Sequence, residues 1–190
     1  DIFLGTSLIG KTLGIIGLGG IGQMVARRAE GYKMKVVYNK HTRDTECEEK
    51  LGVKYCTLDT LLSESDVVTL HVPLTEETRH LMNKSAFEKM KRGSFLINTA
   101  RGAVVDEHDL VDTLRSGQLA GAALDVFDNE PNIDPELVGM ENVILTPHIA
   151  SATHEAREAM ATLAVNGIVK TLSNELPENI VNKDVWETRR

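Results

Sequence analysis

Residues 12–26 read Thr12-Leu13-Gly14-Ile15-Ile16-Gly17-Leu18-Gly19-Gly20-Ile21-Gly22-Gln23-Met24-Val25-Ala26, and this stretch decides the fold. An apolar, β-branched run enters a glycine cluster, and a helix-forming run leaves it. Glycines at 17, 19 and 22 give the spacing G-x-G-x-x-G between a strand and a helix. In that setting the first glycine permits a tight turn, the second lets a pyrophosphate approach the backbone, and the third lets the helix lie close to the strand. The helix N-terminus then offers unpaired N–H groups and a positive dipole end to phosphate. Gly17, Gly19, Gly20, Ile21 and Gly22 are therefore candidate dinucleotide contacts.

The rest of the chain repeats the alternation. Strands are predicted at Thr12 to Ile16, Lys35 to Tyr38, Val67 to Val72, Ser94 to Asn98, Gly121 to Val126 and Val143 to Leu145, with a shorter one at Val53 to Tyr55. Helical periodicity covers Ile21 to Gly31, Asp44 to Leu51, Asn83 to Met90 and Asp106 to Ser116, several opened by a capping Asp or Asn. A last helix, about Thr153 to Ser173, is expected to lay its apolar stripe on the sheet, and Pro177 to Val181 is expected to be extended. The fold class is therefore α/β: a Rossmann, doubly wound parallel sheet with helices on both faces.

Composition sets outer bounds. At 190 residues and 42% hydrophobic content the chain suits one filled core, read as a single dinucleotide-binding domain over 1–190. A net charge of −7 argues against nucleic acid or an anionic membrane surface as the main partner. Cys47 and Cys56 lack the spacing of a zinc site or a disulfide framework, and no metal site is expected. With no apolar run long enough to span a bilayer, a cytoplasmic location is expected.

The end of the second strand bears on which dinucleotide is bound. An acid about twenty residues after the glycines ordinarily takes the adenosine 2′-hydroxyl. Here the sequence runs Tyr38-Asn39-Lys40-His41-Thr42-Arg43, with no carboxylate before Asp44. Asn39, Lys40, His41 and Arg43 can donate to a 2′-phosphate that a carboxylate would repel, so NADP(H) is favoured over NAD(H).

Three further segments follow strands and so fall at the same carboxyl edge of the sheet: Thr99-Ala100-Arg101-Gly102, the run Asp125 to Pro131, and Thr146-Pro147-His148-Ile149-Ala150-Ser151. Reducing a 2-oxo acid needs a cation for the carboxylate and an acid for the forming alkoxide. Arg101 suits the first task and His148 the second, with Glu130 favouring the imidazolium.

Taken with Gly14-Ile15-Ile16-Gly17-Leu18-Gly19, Val72-Pro73-Leu74-Thr75, Ile97-Asn98-Thr99-Ala100-Arg101-Gly102, Ala123-Leu124-Asp125-Val126-Phe127 and Glu130-Pro131, this order of motifs resembles the D-isomer-specific 2-hydroxyacid dehydrogenases through nearly the whole chain. The resemblance implies that Arg101 binds substrate, Glu130 supports the histidine and His148 is the acid/base. It also implies that Asp125 meets the nicotinamide carboxamide, with Gly20, Ile21, Val72, Pro73, Thr99 and Ala100 lining the cofactor. Within the family the basic stretch after Tyr38 is most similar to NADP(H)-preferring glyoxylate and hydroxypyruvate reductases. Two departures stand out. Many members carry Arg where this chain has Gly20. Members also begin with a substrate lobe, whereas this sequence starts a short step before its first strand.

The lobe is therefore expected to be absent, with 1–11 and about 176–190 as segments that would join it. The expected function is NADP(H)-dependent transfer of a hydride between nicotinamide and a small 2-oxo/D-2-hydroxy acid, glyoxylate or hydroxypyruvate. These 190 residues are expected to bind cofactor with little or no turnover, and a full-length protein to form a homodimer. The alternative is a dinucleotide-sensing binding protein like the corepressors that share the fold and the trio.

Overall fold

A computed structural model describes residues 4–188, which divide between His148 and Ile149 into two compact units. The first unit holds seven parallel strands: β1 (Thr12–Ile16), β2 (Lys35–Asn39), β3 (Lys54–Tyr55), β4 (Val67–Leu70), β5 (Ser94–Asn98), β6 (Leu119–Leu124) and β7 (Val143–Leu145). Their order across the sheet is β3-β2-β1-β4-β5-β6-β7. The chain therefore winds outward from β1 in one direction, then returns to β4 and winds the other way. The switch lies between β1 and β4, where ligands of open α/β sheets bind.

Each face of the sheet carries a core, although Phe95, Ile97 and Ala123 toward the β7 edge are only half-buried and Ile144 is exposed. On β1, Leu13 and Ile15 join Ala26 and Ala29 of α1 (Gly20–Gly31), while Ile16 turns to the other side. That other core gathers Val68, Leu70 and Leu96 from the strands with Leu61 and Leu62 of α3 (Leu58–Glu64), Phe87 of α4 (Lys84–Lys89) and Leu110 of α5 (Glu107–Arg115). Between α1 and α3 lies α2 (Thr45–Leu51), capped by Asp44, and before β7 comes the short α6 (Pro135–Val138).

Strands β1, β5 and β7 coincide with the sequence expectation, but β4 stops at Leu70 and β6 is shifted to start at Leu119. Helices α3 and α6 were not anticipated. Each is short, and its signal is a cap, Thr57 or Asp134, with few apolar residues behind it.

The second unit comprises α7 (His154–Leu172) and α8 (Asp184–Thr188). Thr153 caps α7 as its sequence suggests, and α7 itself has no buried residue. Pro177 to Val181 is not a strand, and Ile180 N–H turns back to the Pro177 carbonyl.

Candidate active site

The loops that leave the carboxyl ends of all strands but β3 carry the residues singled out above. Gly17 follows β1 with φ +97°, a conformation that favours glycine, and its N–H bonds the Asn39 carbonyl at 2.9 Å. A Cβ there would lie 2.5 Å from the His71 carbonyl oxygen, and one on Gly22 would lie 2.2 Å from the Gly17 oxygen. Those two glycines are required by the protein's own packing. Gly19 and Gly20 differ, because nothing lies within 4 Å of where their Cβ atoms would be. Gly19 also caps α1 without a side-chain hydrogen bond, and no acid occupies the first turn. Open space beside an uncapped helix N-terminus fits a pyrophosphate, so Gly19, Gly20, Ile21 and Gly22 could hold that part of a dinucleotide. Ile21 stands exposed beside them, and Val72 and Pro73 follow β4 directly across the switch.

The basic loop after β2 is largely satisfied within itself. Asn39 donates its amide to the Cys56 carbonyl, and Lys40 Nζ lies 3.2 Å from Asp44. Arg43 forks onto Glu48 through Nε and Nη2, both at 2.8 Å, while the Tyr38 hydroxyl donates to the same carboxylate at 2.9 Å. The hydrogen bond from Arg43 is the main reason that the Glu48 carboxyl lies below its usual range. Glu48, which the sequence suggests is a solvated helix residue, is thus an anchor of this loop. His41 is exposed.

Across the sheet, Asn98 ends β5 almost fully buried and shapes the next turn. Its side chain accepts the Ala100 N–H at 3.0 Å and donates to the Arg101 carbonyl at 2.9 Å. Thr99, Ala100 and Arg101 are held in this turn, and Arg101 Nη1 donates to the Ala100 carbonyl. Asp125, also buried, follows β6 and accepts the Thr146 hydroxyl at 2.6 Å.

Glu130 and His148 meet. The imidazole Nδ1 lies 2.9 Å from Glu130 Oε2, and Glu130 Oε1 accepts the Phe127 N–H at 3.0 Å. His148 has φ +53°, unusual for a residue with a side chain, and follows Pro147 at the end of β7. Arg101 does not join this pair by any direct bond. The connection runs through Gly102, whose Cβ position falls 1.9 Å from the Phe127 carbonyl carbon, so the turn of Arg101 lies tight against the turn of Glu130. Sequence reasoning passed over Asn98, Gly102, Glu107 and Thr146. The signal for the first two was their place in the Asn98-Thr99-Ala100-Arg101-Gly102 run.

The His148 contact, followed by the Phe127 N–H, holds the Glu130 carboxyl below the usual carboxylate range. A folded value below the unfolded one means that the unfolded state binds more protons, so this contribution to stability is present above the ordinary carboxylate range and is lost as pH falls through the depressed value. Glu130→Gln is expected to lower the urea midpoint modestly at neutral pH, the pair being partly exposed, and to converge with wild type in acid. Parallel denaturation curves across that range check this; a constant difference would contradict it.

No helix among the described residues is long and apolar enough to cross a membrane. The model of the D-isomer specific 2-hydroxyacid dehydrogenase NAD binding domain matches residues 1–150. The chain is 52% identical over 184 residues to a glyoxylate reductase of Thermococcus litoralis, spanning 97% of this chain and 56% of that protein. A crystal structure of a glyoxylate reductase from Paecilomyes thermophila superposes with TM-score 0.85 at 42% identity, covering 91% of this chain and 53% of the other. A D-lactate dehydrogenase with NAD+ from Lactobacillus jensenii gives TM-score 0.87 at 30% identity, covering 96% and 58%. The chain thus spans a little over half the length of the relatives it matches.

Proposed function

Because this chain belongs to the D-isomer specific 2-hydroxyacid dehydrogenases through their NAD binding domain, we propose that it is the nucleotide-binding half of a reductase of a small 2-oxo acid, glyoxylate or hydroxypyruvate. The observation that carries this reading is the Glu130–His148 contact at 2.9 Å on the edge that also bears the open Gly19–Gly20 cradle. When bound, the nicotinamide supplies two electrons and hydrogen to the substrate's carbonyl carbon. Arg101, exposed at the turn after β5, pairs with the substrate carboxylate and draws electron density from the adjacent carbonyl. His148 gives a proton from Nε2 to the carbonyl oxygen as it becomes an alcohol, because Nδ1 is turned to Glu130. Glu130 fixes the ring orientation. Asp125, positioned by Thr146, faces the carboxamide end, with Val72, Pro73, Thr99 and Ala100 along the dinucleotide.

The proposed cofactor is NADP(H). Asn39, Lys40, His41 and Arg43 precede the first carboxylate after β2. Lys40 and Arg43 have partners in Asp44 and Glu48, and a dianionic 2′-phosphate, with its larger charge and three acceptor oxygens, competes for both cations. Fluorescence titration is expected to give a dissociation constant about tenfold or more lower for NADPH than for NADH, the gap narrowing with added salt. Equal affinities, or tighter NADH binding, would overturn the NADP(H) assignment. Binding of neither would overturn the reading as a whole. The 190 residues by themselves are expected to turn over glyoxylate slightly or not at all. A cytoplasmic, homodimeric full-length protein completes the proposal.

A further inference from the structure

We propose that Glu107, outside the site as assigned so far, is the positioning residue that fixes the turn Phe127 to Pro131 and so presents Glu130 to His148. This rests on the reading of that pair given above. Two successive N–H groups of the turn are taken by two different carboxylates. The Phe127 N–H goes to Glu130 Oε1 at 3.0 Å and the Asp128 N–H goes to Glu107 Oε1 at 2.8 Å. Among the described residues, Glu130 is thus bonded within its own turn and to His148, whereas Glu107 ties the turn to another element, 21 residues away in sequence.

That element is well placed to act as an anchor. Glu107 is the first residue of α5, and the preceding residue, Asp106, accepts the Asp109 N–H at 3.1 Å to cap the helix. The same stretch also touches the turn directly, since Gly102 lies against the Phe127–Asp128 peptide. With Gly102 packed on the peptide and Glu107 accepting its N–H, the peptide is held by two contacts from one stretch of chain.

The surroundings show that Glu107 sits there at a cost. Burial, then the nearby carboxylates of Asp128, Asp134 and Asp106, push its carboxyl above the usual range, while the Asp128 N–H opposes that rise. Arg79, 3.9 Å from Asp128, and His80, 3.4 Å from Asp106 and 4.0 Å from Asp128, are the basic groups that face this cluster. A half-buried acid among three others is retained for what it accepts rather than for its charge.

Carbon-13 NMR of the Glu130 carboxyl in the intact 190-residue chain tests this without cofactor or substrate. Glu107→Leu, similar in size with no acceptor, is expected to shift the Glu130 titration upward into the ordinary carboxylate range. Glu107→Asp, which keeps the charge but withdraws the acceptor by one methylene, is expected to shift it in the same direction. Glu107→Gln, which keeps an acceptor oxygen, is expected to leave Glu130 depressed and the Asp128 amide slow to exchange. A Glu130 titration that stays depressed in the Leu and Asp variants would overturn the proposal, as would release by Gln. If Glu130 titrates normally in the wild type, the reading of the Glu130–His148 pair itself fails. Should Glu107→Leu not fold, the comparison of Asp with Gln decides.

Discussion

Gly102→Ala is expected to destabilise the first unit by about 3 kcal/mol and to part the Arg101 turn from the Glu130 turn. Its Cβ would fall 1.9 Å from the Phe127 carbonyl carbon, 2.1 Å from its oxygen and 2.3 Å from the Asp128 nitrogen. All three are backbone atoms, so no side chain can rotate away. The turn can yield only by giving up the Asp128–Glu107 hydrogen bond or by moving Glu130 off His148. Urea denaturation measures the first consequence and NMR of the His148 ring the second. A loss below about 1 kcal/mol with an unchanged ring signal would mean that the two turns are not packed as described.

Gly19→Val is expected to do the opposite, leaving the fold nearly intact while abolishing dinucleotide binding. Gly19 has extended backbone, φ −83° and ψ −166°, which valine adopts readily, and empty space where the side chain would go. The cost to stability is expected to stay within about 1 kcal/mol, the loss of a tolerable helix cap. Affinity for NADPH and NADH alike is expected to fall about 100-fold, because the new side chain fills the room through which a pyrophosphate would reach the N–H groups of α1. Gly17→Val serves as the contrast. There the positive φ and the His71 carbonyl make the fold itself fail, so binding is lost together with stability. Undiminished binding by Gly19→Val would remove the glycine loop from the site.

These two glycines show how differently structure is written into sequence. The role of Gly19 follows from spacing, because a strand, a turn and a helix within fifteen residues leave little freedom in where the loop lies. The role of Gly102 depends on a turn 25 residues later, and local reading carries no trace of that contact. The same division runs through the rest of the molecule. Strands β1 and β5 were legible to their ends because glycine, lysine and threonine bound them. The end of β4 was not, since a strand buried on both faces loses the alternation that would mark where pairing stops, and the small residues Ala120 to Ala123 of β6 give no alternation either. Helix α3 was hidden because seven residues with one buried Leu-Leu pair give too little period to see. In the site, the strand pattern puts Glu130 and His148 in loops at one edge, whereas their direct contact, made with His148 in a left-handed backbone conformation, has no local signal. The partners of Lys40 and Arg43 were visible as charges and not as bonds, since four or five residues of separation in a loop fix no geometry.

The order β3-β2-β1-β4-β5-β6-β7 carries one more consequence. Everything proposed to grip the adenosine and pyrophosphate comes from residues 17–43, on one side of the seam between β1 and β4, and everything proposed to grip the nicotinamide and substrate comes from residues 72–148 on the other. A dinucleotide laid along that edge is a clasp across two halves already joined by the β1–β4 pairing and by a core in which Ile16 and Val37 meet Val68, Leu70 and Leu96. Neither half can then come undone without releasing it, so heating the chain at a ligand concentration 100 times the dissociation constant, where occupancy adds about 2.7 kcal/mol, would see the two halves melt as one.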